Sequence, residues 1–184
     1  MKTRALAAAL LAIAGAVAVN AAQAEGKIYV GGKLAIADPD FTGFDNAYTA
    51  GVYGGFNLFG RDAQYAADLA GGTLAVEGEL MLTTAKGKGR DAATGGSGKW
   101  DVTSLGAYAA YRYPLGDKFY LKGRMGLVRY DINTNFVSVN SGTELKLAAG
   151  VGGGVKVGPG RIEADITTYE SDILTYGVGF HMAF

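Results

Sequence analysis

Beyond residue 24, apolar and polar side chains alternate with a period of two along most of the chain, the pattern of strands with one apolar face. At the end of the chain Tyr176, Val178, Phe180, Met182 and Phe184 are separated by Gly177, Gly179, His181 and Ala183. Ile28, Val30, Leu34 and Ile36 stand against Lys27, Tyr29 and Lys33. Leu74, Val76, Leu80 and Leu82 stand against Glu77 and Glu79, and Phe119, Leu121, Met125 and Leu127 against Lys122 and Arg124. Over 143–157, Leu145, Leu147, Val151, Val155 and Val157 oppose Glu144, Lys146 and Lys156. Over 161–169, Ile162, Ala164 and Ile166 oppose Arg161, Glu163, Asp165 and Tyr169. Weaker runs at 48–58 (Val52, Phe56 and Leu58 against Tyr53 and Asn57) and 100–113 (Leu105 to Tyr113 against Ser104 and Arg112) complete eight predicted strands.

These runs are longer than the ~5–6 residues of an ordinary soluble strand and match the ~9–11 that a tilted strand needs to cross a bilayer. An even number of such strands can close into a sheet with no free edge, as lipid requires. The predicted fold is therefore all-β: an eight-stranded antiparallel up-and-down transmembrane β-barrel. Its long connections, 37–47, 84–99 and 131–142, with 170–173, fall at one end. At the other lie 59–72 and the tight turns Pro114-Leu115-Gly116-Asp117 and Gly158-Pro159-Gly160. Long outside and short inside is the habit of such barrels, so the first end is taken as extracellular. Segment 59–72 is long for a periplasmic turn; Asp62 to Leu69 is expected to hold a turn or two of helix there, with no assigned role. The glycine-rich 84–99 is expected to be a mobile outer loop.

The first 24 residues differ from the rest. Lys2 and Arg4 precede the apolar run Ala5–Val19, and Ala22-Gln23-Ala24 offers small residues at a cleavage site. Residues 1–24 are read as a cleaved signal peptide and 25–184 as the barrel domain. Without those two cations the 17 Lys+Arg and 17 Asp+Glu become 15 against 17, a net charge of −2. That balance gives no reason to expect nucleic acid as a partner. The chain has no Cys and one His, which excludes a disulfide framework, thiol chemistry and ordinary zinc sites.

Alternation alone does not say which face meets water. The charged faces do, because they carry opposite signs at one height. Glu77 and Glu79, Lys122 and Arg124, and Glu163 and Asp165 lie on three strands rising from the same end. A narrow eight-stranded lumen would bring them together, and their burial is tolerable only as pairs. These six residues are the predicted lumen charge network. Rings at strand ends suggest interfacial girdles: Phe59, Tyr113, Phe119 and Phe184 at the periplasmic level, and Tyr48, Trp100, Tyr130 and Tyr169 at the outer level.

Signal peptide, alternating strands and the ending Gly179-Phe180-His181-Met182-Ala183-Phe184 together resemble small outer-membrane β-barrel proteins. The porin-family and opacity-type barrels and the membrane domain of OmpA are the nearest groups. By that resemblance Gly179, Phe180, Met182 and Phe184 form an assembly signal, with Met182 where an aromatic residue is commoner. The resemblance implies residence in the outer membrane of a Gram-negative bacterium as a monomer. It implies outer-membrane lipid and lipopolysaccharide as surroundings, and periplasmic chaperones and the outer-membrane assembly machinery as partners. No domain following Phe184 is expected to anchor the protein to peptidoglycan.

No catalytic, cofactor or metal site is predicted. Glu77 and Glu79 have a spacing near that of glycosidase carboxylates, but neighbouring cations would keep both ionised. His181 lacks a Ser and an acid at compact spacing. Asp38-Pro39-Asp40-Phe41-Thr42-Gly43 opens like a calcium loop, yet Thr49 stands where a bidentate Glu is needed. Lys86, Lys88 and Arg90, spaced by glycine, could meet anionic lipopolysaccharide. The leading expectation is a non-enzymatic barrel with a filled polar lumen, in a structural or surface-interaction role through loops that meet an unidentified extracellular ligand. A narrow pore for small solutes, a lipid-modifying barrel enzyme and a soluble barrel for an apolar ligand are the alternatives.

Overall fold

Each alternating run forms a strand in the computed structural model, which describes residues 27–39, 43–60, 65, 69–90, 95–135, 142–170 and 173–184. The strands are β1 (Ile28–Pro39), β2 (Ala47–Phe59), β3 (Thr73–Ala85), β4 (Gly87–Arg90), β5 (Ser97–Leu115), β6 (Phe119–Thr134), β7 (Gly142–Val157), β8 (Gly160–Tyr169) and β9 (Ile173–Ala183). Neighbours pair in the order β3-β2-β1-β9-β8-β7-β6-β5-β4, and β3 pairs with β5. That last pairing, from Thr73↔Arg112 to Leu82↔Thr103, closes the sheet into an antiparallel barrel of eight wall strands. β9 lies against β1 from Tyr29↔Ala183 to Pro39↔Ile173, and the Phe184 amide adds a bond to the Ile28 carbonyl at 2.8 Å.

The faces divide as period two requires. Outward are Leu34, Leu105, Leu121, Met125, Leu127, Leu147, Val151, Ile166 and Val178, all substantially exposed. Inward are tyrosines, charges, threonines and small residues. An apolar exterior around a polar, packed interior is the reverse of a soluble barrel and suits a wall bathed in lipid. Among the described residues no helix is long and apolar enough to cross a membrane; this chain crosses with strands.

The ends differ from the expectation in three places. β5 and β6 run for 19 and 16 residues, beyond the wall, and β4 pairs with β5 as a hairpin extension, Lys88 facing Lys99 and Arg90 facing Ser97. Part of 84–99 is therefore ordered sheet rather than a loose loop. Its free edge is held by the Asp45 amide on the Lys88 carbonyl (2.7 Å) and the Arg90 amide on the Gly43 carbonyl (3.0 Å). At the other end, β5–β6 and β7–β8 turn tightly, with Gly116 and Gly158 at φ of 77° and 58°, a region open to glycine at little cost. Within 59–72, Tyr65 bridges Phe59, its ring 5.5 Å away, and Tyr111 donates to the Leu69 carbonyl at 2.6 Å. The helical turn expected from Asp62 falls largely outside the described residues, as do the signal segment and Asp40–Thr42 of the acidic turn.

The third difference concerns the outer girdle. Tyr48 is exposed, but Trp100, Tyr130 and Tyr169 are buried. They sit at inward positions of β5, β6 and β8 and pack with Val102, Tyr108, Val128, Ala148 and Ile173 into a plug at the outer end of the lumen. Tyr130 and Tyr169 stack at 6.2 Å.

Candidate functional site

The polar interior is organised into two stacked rings of charge. The lower ring joins Glu77 of β3, Arg112 of β5, Lys122 of β6 and Glu163 of β8. Arg112 reaches Glu77 at 2.5 Å and Glu163 at 3.0 Å, and Lys122 reaches each at 2.8 Å. The upper ring joins Lys33 of β1, Glu79 of β3, Arg124 of β6 and Asp165 of β8. Lys33 meets Glu79 at 2.9 Å and Asp165 at 2.8 Å; Arg124 meets them at 2.9 and 3.3 Å. Every cation thus bridges two carboxylates, and every carboxylate is held by two cations.

The register explains the layering. Residues i and i+2 share a face one step apart, so Glu77/Glu79, Lys122/Arg124 and Glu163/Asp165 each give one member to either ring. Around the barrel β1 stands opposite β6, and β3 opposite β8. The upper ring therefore alternates in sign at quarter turns, an arrangement in which each charge faces its like across the lumen and its opposites on both sides. All eight groups are at most 8% exposed. The four cations and four carboxylates sum to zero, the condition under which such burial is tolerable.

Rings and hydroxyls add further contacts, although the buried Glu77 Oε2 and Arg112 Nη1 meet no hydrogen-bond partner among the described residues. Tyr29 donates to Glu77 at 2.6 Å and Tyr120 to Glu163 at 2.8 Å. Arg124 donates to Thr167 through Nε and Nη2, at 3.0 and 2.7 Å. The Arg112 and Arg124 guanidinium groups lie 4.4 Å from the ring centres of Tyr29 and Tyr108. Glycines opposite these groups give them room. A Cβ at Gly177 would strike the Lys33 stem and one at Gly154 the Tyr120 phenol. Gly150 and Gly152 likewise accommodate Thr167 and Asp165 of the adjacent strand β8. Gly150, Gly152 and Gly154 thus serve side chains of neighbouring strands.

The structure brings all six expected network residues together and adds two, Lys33 and Arg112. His181 is fully buried between Tyr29 and Tyr53, with Nδ1 2.8 Å from the Tyr53 hydroxyl and 3.9 Å from Glu163 Oε2. Of the residues of the proposed assembly signal, Phe180 and Met182 face outward on β9, while Gly179 lies inward beneath the Tyr53 ring. Above the rings, the cavity bounded by Lys33, Glu79, Met81, Ser104, Tyr169 and Thr175 measures about 10 Å³, room for a single water at most. Geometrically the site is a filled neutral core, closed above by the aromatic plug and below by Tyr29, Tyr53 and His181.

Comparison with known proteins agrees with this architecture. The outer membrane protein beta-barrel domain family matches residues 6–184. No curated protein matches the chain. Among solved structures, the chain is similar to the outer membrane protein OprG from Pseudomonas aeruginosa, with 12% identity, 86% of this chain and 96% of that one covered, and a TM-score of 0.59. It is similar to the attachment invasion locus protein Ail of Yersinia pestis at 15% identity, 85% and 96% coverage and a TM-score of 0.54. Neisserial surface protein A aligns at 15% identity, 86% and 97% coverage and a TM-score of 0.51. At these identities the likeness is one of fold.

Proposed function

The chain belongs to the outer-membrane protein β-barrel domain family and resides in the outer membrane of a Gram-negative bacterium, and from that premise we propose that it is a non-enzymatic, closed barrel acting as a monomer through its extracellular end. The observation that carries this reading is the pair of neutral charge rings across the lumen. They fill the space a solute would need, so the lumen serves as a rigid core rather than a path. Against lipid chemistry stands His181, the one imidazole of the chain: it has no exposed surface, is enclosed by two tyrosine rings and faces the lumen rather than the lipid. In this account the strand β9, with Phe180 and Met182 on its lipid face, is what the assembly machinery recognises.

The test is made on cells with and without the protein. The pair should differ in binding to at least one extracellular class, among matrix proteins, phage and complement regulators. Lipid extracted from both should be chemically identical. Lipid altered by the wild-type protein but not by His181→Ala would replace this reading with an enzymatic one.

A further inference from the structure

The two charge rings are neutral, but the layer beneath them is not. One step below Tyr120, Gly154 and Glu163, on the same inward face, stand Lys118 just before β6, Lys156 of β7 and Arg161 of β8. The Lys156 amide bonds the Lys118 carbonyl at 2.9 Å, which continues the β6–β7 ladder past Phe119↔Val155 and sets the two lysines side by side. Lys156 is in turn the direct partner of Arg161, and Arg161 of His181. The Arg161 guanidinium lies 5.7 Å from the centre of the inward Tyr120 ring, so it stands on the lumen side of the wall. Lys118 and Lys156 are exposed and Arg161 is half-buried; none of the three has an ion-pair partner among the described residues. The turns at this end supply one acidic side chain among the described residues, Asp117.

Like charges directly opposite one another destabilise a sheet. Here two such pairs lie in succession, Lys118 with Lys156 and Lys156 with Arg161. The chain that gives each cation of both rings two carboxylates leaves this row without one, which points to an anion supplied from outside. The place of the row says which kind. Its stems rise from the lumen face at the periplasmic mouth, whereas the headgroups of the surrounding lipid meet the opposite face of the wall. Lys118 and Arg161 stand two strand spacings apart, ~10 Å, strung along the rim rather than gathered around a point, so a compact anion would touch only part of the row. Carboxylates on alternate residues of an extended peptide recur every ~6–7 Å, and the flexible stems of Lys and Arg take up the difference.

We propose that Lys118, Lys156 and Arg161 form a docking site at the periplasmic mouth for an extended acidic segment of a periplasmic protein. The site gives the barrel a partner on its inner side and stands independently of the role of its extracellular end. Lysine and arginine supply charge-assisted hydrogen bonds to carboxylates, which are shorter and stronger than neutral ones.

The purified protein is placed in nanodiscs of zwitterionic phospholipid, and binding of fluorescein-labelled hexaglutamate is followed by anisotropy. Wild type should bind the peptide, less tightly as salt is added. Lys118→Gln/Lys156→Gln/Arg161→Gln should bind it roughly tenfold more weakly, the combined loss expected for three partly exposed ion pairs. Lys88→Gln/Lys99→Gln, at the outer end, should behave as wild type. The single Lys156→Gln removes both like-charge contacts and should raise the midpoint of unfolding in urea, which also shows that the site can be altered without loss of folding. Equal binding by wild type and the triple variant overturns the proposal, as does an equal fall in the outer-end variant, which would make binding a matter of net charge. Displacement of the peptide by inorganic phosphate at matched charge overturns it in favour of a compact anion. Retention of phosphatidylglycerol in place of the peptide, lost in the triple variant, overturns it in favour of a lipid. A lower midpoint for Lys156→Gln would mean that Lys156 is already paired within the molecule, and overturns it too.

Discussion

Lys122→Ala/Arg124→Ala should destabilise the folded barrel by several kcal/mol, measured as denaturant unfolding in detergent micelles. The two residues come from adjacent steps of β6, but each belongs to a different ring. Removing Lys122 leaves Glu77 and Glu163 sharing only Arg112, and removing Arg124 leaves Glu79 and Asp165 sharing only Lys33. Each ring then carries one uncompensated negative charge where water is excluded. Breaking one buried pair costs ~3–5 kcal/mol, and the two losses should not add fully because Lys122 and Arg124 are neighbours on one face of β6. Adding Glu163→Gln to Lys122→Ala removes the stranded charge and should recover part of the loss, since deleting both partners leaves less unpaired than deleting one. A double variant within about 1 kcal/mol of wild type would mean the rings do not hold the core.

Met125→Arg should also be costly, for the opposite reason. Met125 is 68% exposed and lies midway along the outward apolar row Phe119, Leu121, Met125 and Leu127 of β6. On a soluble protein such a substitution would be close to neutral. At the midplane of a bilayer an arginine on the lipid face costs ~2–4 kcal/mol. Folding into phospholipid vesicles should fall accordingly, while Asp117→Arg in the periplasmic turn should fold as wild type. A neutral Met125→Arg would place water, not lipid, against this face.

Period two made the wall legible from sequence. Once Tyr29, Lys33 and Glu77 were assigned to the face opposite Ile28, Val30 and Val76, the burial of that face followed. The charge rings were only half legible. The six residues matched by height carry two cations and four carboxylates, and that deficit was itself a signal that two more cations were needed. Lys33 and Arg112 both lie at inward positions, but choosing them requires the stagger between strands, which sets the heights at which they meet Glu79 and Glu77 and which alternation does not contain. Three of the outer aromatics depart from the girdle because parity outranks position at a strand end: Trp100 shares the face of Ser104 and Arg112, so it packs inward. The β4 extension is not legible in the sequence because Gly87-Lys88-Gly89-Arg90 has no apolar residue to alternate. Its pairing is fixed by Trp100, whose indole donates to the Asp45 carbonyl at 2.9 Å, and by the backbone bonds to the β1–β2 connection.

Single-channel recording of the purified protein in planar bilayers tests the closed-lumen claim most directly. Eight strands leave an interior only wide enough for side chains to fill, and here two neutral rings and an aromatic plug fill it. Wild type should show no regular conductance steps, whereas Lys122→Ala/Arg124→Ala, with surplus carboxylates and vacated volume, should show small cation-selective leaks. Large, uniform steps from the wild-type protein would contradict the account and make the barrel a pore.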